Sequence, residues 1–312
     1  MKVVQVNCVY NKGSTGKIVY DIHQLLVSKG DESIVCYGRG ACVTEKGVHK
    51  TCGELYSKFN NLITRFTGIM YGGCFFSTNQ LISIIKKEQP DVVHLHCLNG
   101  YFVNIYRLIE WLKKQHIRTI LTLHAEFMYT ANCGHALDCE KWKTGCGNCS
   151  RLREETGSLL IDGTAKSWEK MKYAFDGFED DLLVVSVSPW LMKRAKASPI
   201  LENFEHKVVL NGLDDDVFKY YNREKLKEEY GFAGKKLVFH ATPNFNNDPN
   251  HIKGGYYVIK LAEQMKDIKF LVAGNYDKAM NLPKNVITLG NVTDKVQLAK
   301  YYAMADVNLL TS

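Results

Sequence analysis

Apolar residues along the chain fall into two kinds of run, and the two alternate. Short runs rich in β-branched residues, beginning with Val3, Val4 and Val6, read as strands. Longer stretches with apolar positions three and four apart read as helices. The first cycle is the clearest. The run at 3–7 leads into the turn Lys12-Gly13-Ser14-Thr15-Gly16. A helical stretch follows with Ile18, Ile22, Leu25 and Leu26 on one face. Lys29-Gly30 stops it, and 33–37 reads as the next strand. Strand, glycine turn, helix and strand form a βαβ unit, which predicts a parallel sheet. The cycle recurs with a helix over 79–87, a strand over 91–96, an amphipathic helix over 104–115, and strands over 118–124 and 182–188.

A second series follows the polar segment 198–206. Strands are predicted at 207–210, 236–240, 268–273, 286–289 and 306–310, with helices over 254–264 and 296–303. The pattern predicts an α/β chain of two Rossmann-like, doubly wound domains, residues 1–200 and 207–312. Ligands in such sheets bind beyond the carboxyl ends of the strands, so a site between the domains is expected. The second domain reads as incomplete, because its series stops just after a strand of buried type.

Composition narrows the function classes. Apolar residues at 46% and charged residues at 23% exclude a disordered or fibrous chain. No run approaches the roughly 18 apolar residues of a membrane span. The first residues turn polar too early for a signal-peptide core, so a cytoplasmic location is expected. Forty basic against 33 acidic residues give a net charge of +7. That excess suits phosphorylated ligands or a peripheral contact with an anionic membrane, and it is too weak and dispersed to predict nucleic acid. Ten cysteines without a secretion signal read as reduced thiols.

Five groups carry candidate chemistry. Gly13 and Gly16 let the backbone approach a ligand, the helix start offers unpaired N–H groups to an anion, and Lys17 adds a cation. A tight turn without ligand explains the same residues. The turn is not a nucleotide-triphosphatase loop, since Asn11 and Ile18 occupy positions where that motif needs Gly and Ser or Thr. His94 and His96 lie on one face of their strand, as ligands for a metal or hydroxyl or as packed strand-end histidines. His124 closes the strand that begins at Thr119 and points toward the expected cleft, or is a satisfied strand-end histidine. Lys253 and Gly254 open a helix where a cation could meet a pyrophosphate, or merely be solvated. Finally, Cys133, Cys139, Cys146 and Cys149 suit a tetrahedral Zn²⁺, with His135 as a substitute ligand. Free thiols and a disulfide are the alternatives.

The order of these segments resembles a bacterial glycosyltransferase of family 4, the retaining group with the two-domain GT-B fold. The resemblance rests on Gly13-Ser14-Thr15-Gly16-Lys17-Ile18 with Asp21-Ile22, on Asp91-Val92-Val93-His94-Leu95-His96, and on Thr122-Leu123-His124. It extends through Val208-Val209-Leu210-Asn211-Gly212, Lys253-Gly254 and Ala305-Asp306-Val307. Lys141-Trp142-Lys143-Thr144-Gly145-Cys146-Gly147-Asn148-Cys149 is similar to the Cys-bearing loop of a subgroup that makes surface polysaccharides. The resemblance implies transfer of a hexose, with retention, from a nucleotide-diphosphate sugar to a saccharide acceptor, lipid-linked, with no catalytic cofactor or metal. It implies that the glycine turn, Lys253 and Gly254 hold the diphosphate. Backbone around 289–292, including Gly290 and Val292, would read the base, and His124 would bond the donor sugar or acceptor.

Three departures stand out. The family's Thr-x-His-Asp is here followed by Ala125 and Glu126. The family's Arg near the Lys-Gly pair is replaced by His251 and Ile252. The family's E-x7-E motif would begin just beyond Ser312, which makes a truncated, inactive binding or scaffold protein the alternative reading. An oxidoreductase on a Rossmann domain is disfavoured, because no G-x-G-x-x-G follows a strand.

Overall fold

The computed structural model describes residues 1–311 and divides into two units, 1–211 and 212 onward. The first unit holds strands β1 (Lys2–Val9), β2 (Glu32–Arg39), β3 (Val48–Lys50), β4 (Val92–Leu95), β5 (Thr119–Leu123), β6 (Leu182–Ser186) and β7 (Glu205–Val208). They form one parallel sheet in the order β3-β2-β1-β4-β5-β6-β7. Its helices are α1 (Gly13–Ser28), α2 (Glu54–Thr67), α3 (Phe75–Glu88), α4 (Ile105–Lys114), α5 (Phe127–Thr130), α6 (Leu152–Thr156), α7 (Thr164–Phe175) and α8 (Pro189–Lys196). The central strand β1 is covered on both faces, which is why Val3, Val4, Gln5, Val6 and Asn7 are buried in unbroken succession.

The second unit holds α9 (Arg223–Glu229), β8 (Leu237–Phe245), α10 (Gly255–Gln264), β9 (Lys269–Tyr276), β10 (Val286–Gly290), α11 (Lys295–Met304) and β11 (Val307–Asn308). Its parallel sheet runs β10-β9-β8-β11. One apolar cluster, with Leu237, Phe239 and Leu271, packs under α9 and α11, and a second, with Phe245, Val258 and Phe270, packs under α10.

The α/β class with two Rossmann-like sheets is as the pattern predicted, but four details differ. The strand expected to open the second domain, β7, pairs with β6 and completes the first sheet, moving the division from about 200 to 211. Helix α1 buries Gly16, Val19 and His23 rather than the face of Ile18, Ile22 and Leu25, because His23 is held inside by Ser33 at 2.8 Å. The strand read as buried near the end, β11, is an edge strand with Val307 exposed. Helix α2 has no counterpart in the predicted pattern. Among the described residues no helix is long and apolar enough to cross a membrane.

Candidate functional site

In the first sheet the strand order reverses direction between β1 and β4, the place where open α/β sheets form ligand crevices. Two loops meet there. The β1–α1 turn carries Gly13, whose φ of +65° favours glycine, and Gly16, where an added Cβ would come within 3.0 Å of the Val9 side chain. No side chain caps α1, so the amides of its first turn are free to face an anion. Lys17 does not join them. Its ammonium is paired with Asp21 one turn on, and lies 4.1 Å from the Tyr20 ring centroid.

The β4 loop is fastened to the neighbouring strand. Cys8 N–H donates to the Cys97 carbonyl at 2.8 Å and Cys97 N–H to Asn7 Oδ1 at 3.0 Å. Burial pushes the Cys97 thiol up to about 11, and the Thr15 hydroxyl of the glycine turn opposes that shift. The turn and the histidines of β4 are therefore adjacent.

Those histidines form a cluster with the end of β5. The His94 and His96 rings lie 3.9 Å apart, and His96 stacks on His124 at 5.6 Å. His94 Nε2 bonds Thr122 Oγ1 at 2.8 Å, and His96 Nδ1 and His124 Nε2 share a hydrogen bond at 3.3 Å. One of that last pair must donate and the other accept, a bond that two neutral rings, each carrying one N–H, can make. Burial pushes His94 and His124 down to about 4, with the charge of His124 adding to the effect on His94. Burial first, then His94 and His124, hold His96 well below the ordinary imidazole range. The cluster is thus neutral near pH 7 and works through hydrogen bonds rather than as a cation. His96 Nε2 is buried without a partner among the described residues, an atom that a bound hydroxyl would satisfy.

Glu126, at the position nearest the family's missing Asp, is committed elsewhere. Its Oε1 accepts from Arg194 Nε at 2.6 Å and from Tyr129 Oη at 2.5 Å, and its Oε2 from the Ala136 amide at 2.6 Å. Arg194 is in turn sandwiched, 5.0 Å from the Trp142 ring and 5.1 Å from Trp190. This buried pair ties α8 to the cysteine-bearing loop and keeps the Glu126 carboxylate from acting as a base.

The four cysteines of that loop line one cavity of about 40 Å³ with Lys141 and Glu155. All are free thiols. Burial, then Glu155 and the other three thiols, pushes Cys133 up to about 12, and burial pushes Cys146 to about 11. The donors suit zinc, yet among the described residues no three such groups converge closely enough to hold a metal ion as they stand.

In the second unit, Lys253 and Gly254 precede α10, while Gly290 ends β10 and Val292 lies just beyond it. All four lie at the carboxyl edge of the second sheet. Gly254 has φ of +60°, and an added Cβ would lie 2.3 Å from the Thr311 carbonyl oxygen. Thr311 Oγ1 donates to the Lys253 carbonyl at 3.0 Å, fixing the turn. Gly290 has φ of +68° in open space.

Within the first unit the structure therefore groups Gly13, Gly16 and His124 at one sheet edge and adds His94, His96 and Thr122. The wider depressions lie elsewhere: one of about 500 Å³ borders Asn104, Arg107 and Glu169, and one of about 620 Å³ borders Lys219 to Glu224. Neither holds the histidines or the glycine turns. Sequence reading quoted Thr122 within Thr122-Leu123-His124 but gave it no role, and it missed the Glu126–Arg194 pair. Strand alternation places Thr122 beside His124 and could have found it. Nothing local signals the pair, 68 residues apart.

No protein-family profile matches the chain. It is similar to the colanic acid biosynthesis glycosyl transferase WcaC of Escherichia coli strain K12, 26% identical over 163 residues, or 49% of this chain. That match spans 40% of the relative's own length. Among solved structures, sucrose-phosphate synthase from Thermosynechococcus elongatus superposes with a TM-score of 0.61 at 12% identity, over 99% of this chain and 75% of that one. Anabaena HepE, solved in complex with UDP and glucose, superposes with a TM-score of 0.54 at 14% identity, over 100% of this chain and 74% of that one. At these identities the superpositions show the fold, which is the GT-B fold that the sequence resemblance implied.

Proposed function

We propose that the chain is a glycosyltransferase that moves a hexose, with retention, from a nucleotide-diphosphate sugar to a lipid-linked saccharide in surface-polysaccharide synthesis, on the cytoplasmic side of the membrane. The observation that carries this reading is the grouping of an uncapped glycine turn and a neutral histidine cluster at the strand reversal of the first sheet. The similarity to WcaC and the GT-B fold support it, as does the UDP and glucose held by HepE.

The roles follow from the chemistry. Amides at Gly13 to Gly16 and the Lys253 ammonium stabilise negative charge as the diphosphate leaves. Lys17, paired with Asp21, contributes little to that. Gly254 keeps backbone accessible to the phosphate, and backbone around Gly290 and Val292 reads the base. His124, uncharged, hydrogen-bonds the sugar near the reacting carbon, with His96 fixing which ring nitrogen carries the proton. Orientation of donor and acceptor supplies much of the rest. We also propose that Cys133, Cys139, Cys146 and Cys149 close around zinc when it is supplied, stapling a loop with little core of its own.

The test is donor binding and turnover. A thermal-shift and calorimetric screen of uridine and guanosine diphosphate sugars should find a ligand, and a membrane extract should accept label from it. His124→Ala should cut transfer by about 100-fold or more while donor affinity changes little. Lys253→Ala should instead weaken donor binding about tenfold. Absence of any nucleotide-sugar binding, or full transfer by the His124 variant, refutes the reading.

A further inference from the structure

Helix α2 is inside out. The side chains it buries are Ser57, Asn60 and Thr64. The residues it exposes are Leu55, Phe59, Leu62, Ile63 and Phe66, at intervals of three and four that make one stripe. A surface helix ordinarily does the reverse. The inversion is held by hydrogen bonds on the inward side. Ser57 Oγ donates to the Gly100 carbonyl at 3.0 Å and accepts from Arg39 Nη1 at 2.9 Å. Asn60 Oδ1 accepts from the Cys74 amide at 2.7 Å. The apolar stripe is therefore directed outward by its own unit's packing.

Neighbouring segments widen it. Phe76, 78% exposed, lies 5.9 Å ring to ring from Tyr56, and the Leu159 amide bonds the Arg65 carbonyl, setting Leu160, 83% exposed, and Ile161 beside the helix end. The result is a broad apolar patch of a kind that marks an interaction surface.

The charges identify the occupant. Lys58 and Arg65, seven residues apart, line one edge of the stripe, and among the described residues neither pairs with a carboxylate. The helix's only acid, Glu54, is neutralised by Arg39 at 2.8 Å and Lys50 at 3.9 Å. Apolar side chains edged by uncompensated cations match the boundary of an anionic bilayer, where acyl chains take the first and headgroup phosphates the second. We infer that α2 and the adjoining Phe76 and Leu160 form a peripheral docking surface for an anionic phospholipid membrane. This rests on the surface alone and stands whether or not the transfer reading holds.

Flotation of the full chain with vesicles of equal phosphatidylcholine and phosphatidylglycerol, against phosphatidylcholine alone, tests it. Wild type should float with the anionic vesicles. Lys58→Glu with Arg65→Glu should lower partitioning roughly 25-fold, about fivefold per cation. Leu55→Ser, Phe59→Ser and Phe66→Ser should each lower it by about tenfold or more. These side chains are exposed, so an unchanged melting temperature is expected, and the charge pair carries the test should an apolar variant misfold. Wild type left unbound by anionic vesicles overturns the inference, as does undiminished floating of the charge-pair variant. So does a concentration-dependent dimer abolished by Phe59→Ser without vesicle binding, which would assign the patch to a second copy.

Discussion

Arg194 offers the sharpest check on how the first unit is held together. The Glu126 carboxylate is 4% exposed and the Arg194 side chain 17%, so the pair is largely removed from water. Replacing Arg194 with Met keeps an unbranched chain between Trp142 and Trp190 but strands a buried carboxylate. Tyr129 and the Ala136 amide still donate to it. Breaking one partner of a buried pair costs about 3–5 kcal/mol, and the two remaining donors place the expected loss near the lower end, about 3 kcal/mol. At about 2–4 °C per kcal/mol for a body of this size, the first-unit transition should fall by about 6–12 °C in scanning calorimetry. Glu126→Gln in the same chain should restore at least half of that loss, since an amide needs no counter-charge. A double-mutant cycle should show coupling of about 1–3 kcal/mol. An Arg194→Met protein melting within about 2 °C of wild type, or strictly additive variants, would show that the pair is not what binds the cysteine loop to α8.

Stability of the first unit should fall in mild acid. The unfolded histidines take up protons near 6.5, whereas folded His94 and His124 resist until about 4. Their contribution is therefore complete above about 6.5 and is lost as pH falls from there toward 4, up to about 3 kcal/mol for each. Urea midpoints at pH 7, 6 and 5 measure this, and His94→Asn should flatten the slope; an identical slope in that variant would remove His94 as a source. Gly254→Ala should destabilise the second unit by about 2 kcal/mol or more, against about 1 kcal/mol for Gly290→Ala, because only the former meets a carbonyl oxygen as well as a left-handed backbone. Equal melting shifts would discount the Thr311 contact. Elemental analysis after zinc supplementation should find about one zinc per chain, and chelation should then lower the first-unit transition. Metal-free protein of unchanged stability would leave the four cysteines as thiols.

Much of the architecture was legible from local pattern. A buried parallel strand needs a run of β-branched residues, a βα turn needs glycine, and a covered helix needs a 3.6-residue apolar period. Those requirements act within ten residues of sequence, so the strands ending at Val9, Leu95 and Leu123 and helices such as α4 and α10 were readable, as were the glycine turns and His124. Three features belong to tertiary structure. The fate of residues 205–208 depended on which sheet edge was free, and backbone pairing with β6 decided it. The meaning of Glu126 depended on Arg194, brought to it by a distant helix. In α2 the usual inference fails, because Ser57 and Asn60 find hydrogen-bond partners inward and their apolar neighbours are left facing out. Periodicity shows that a helix has two faces; only its hydrogen-bonding surroundings decide which one is buried.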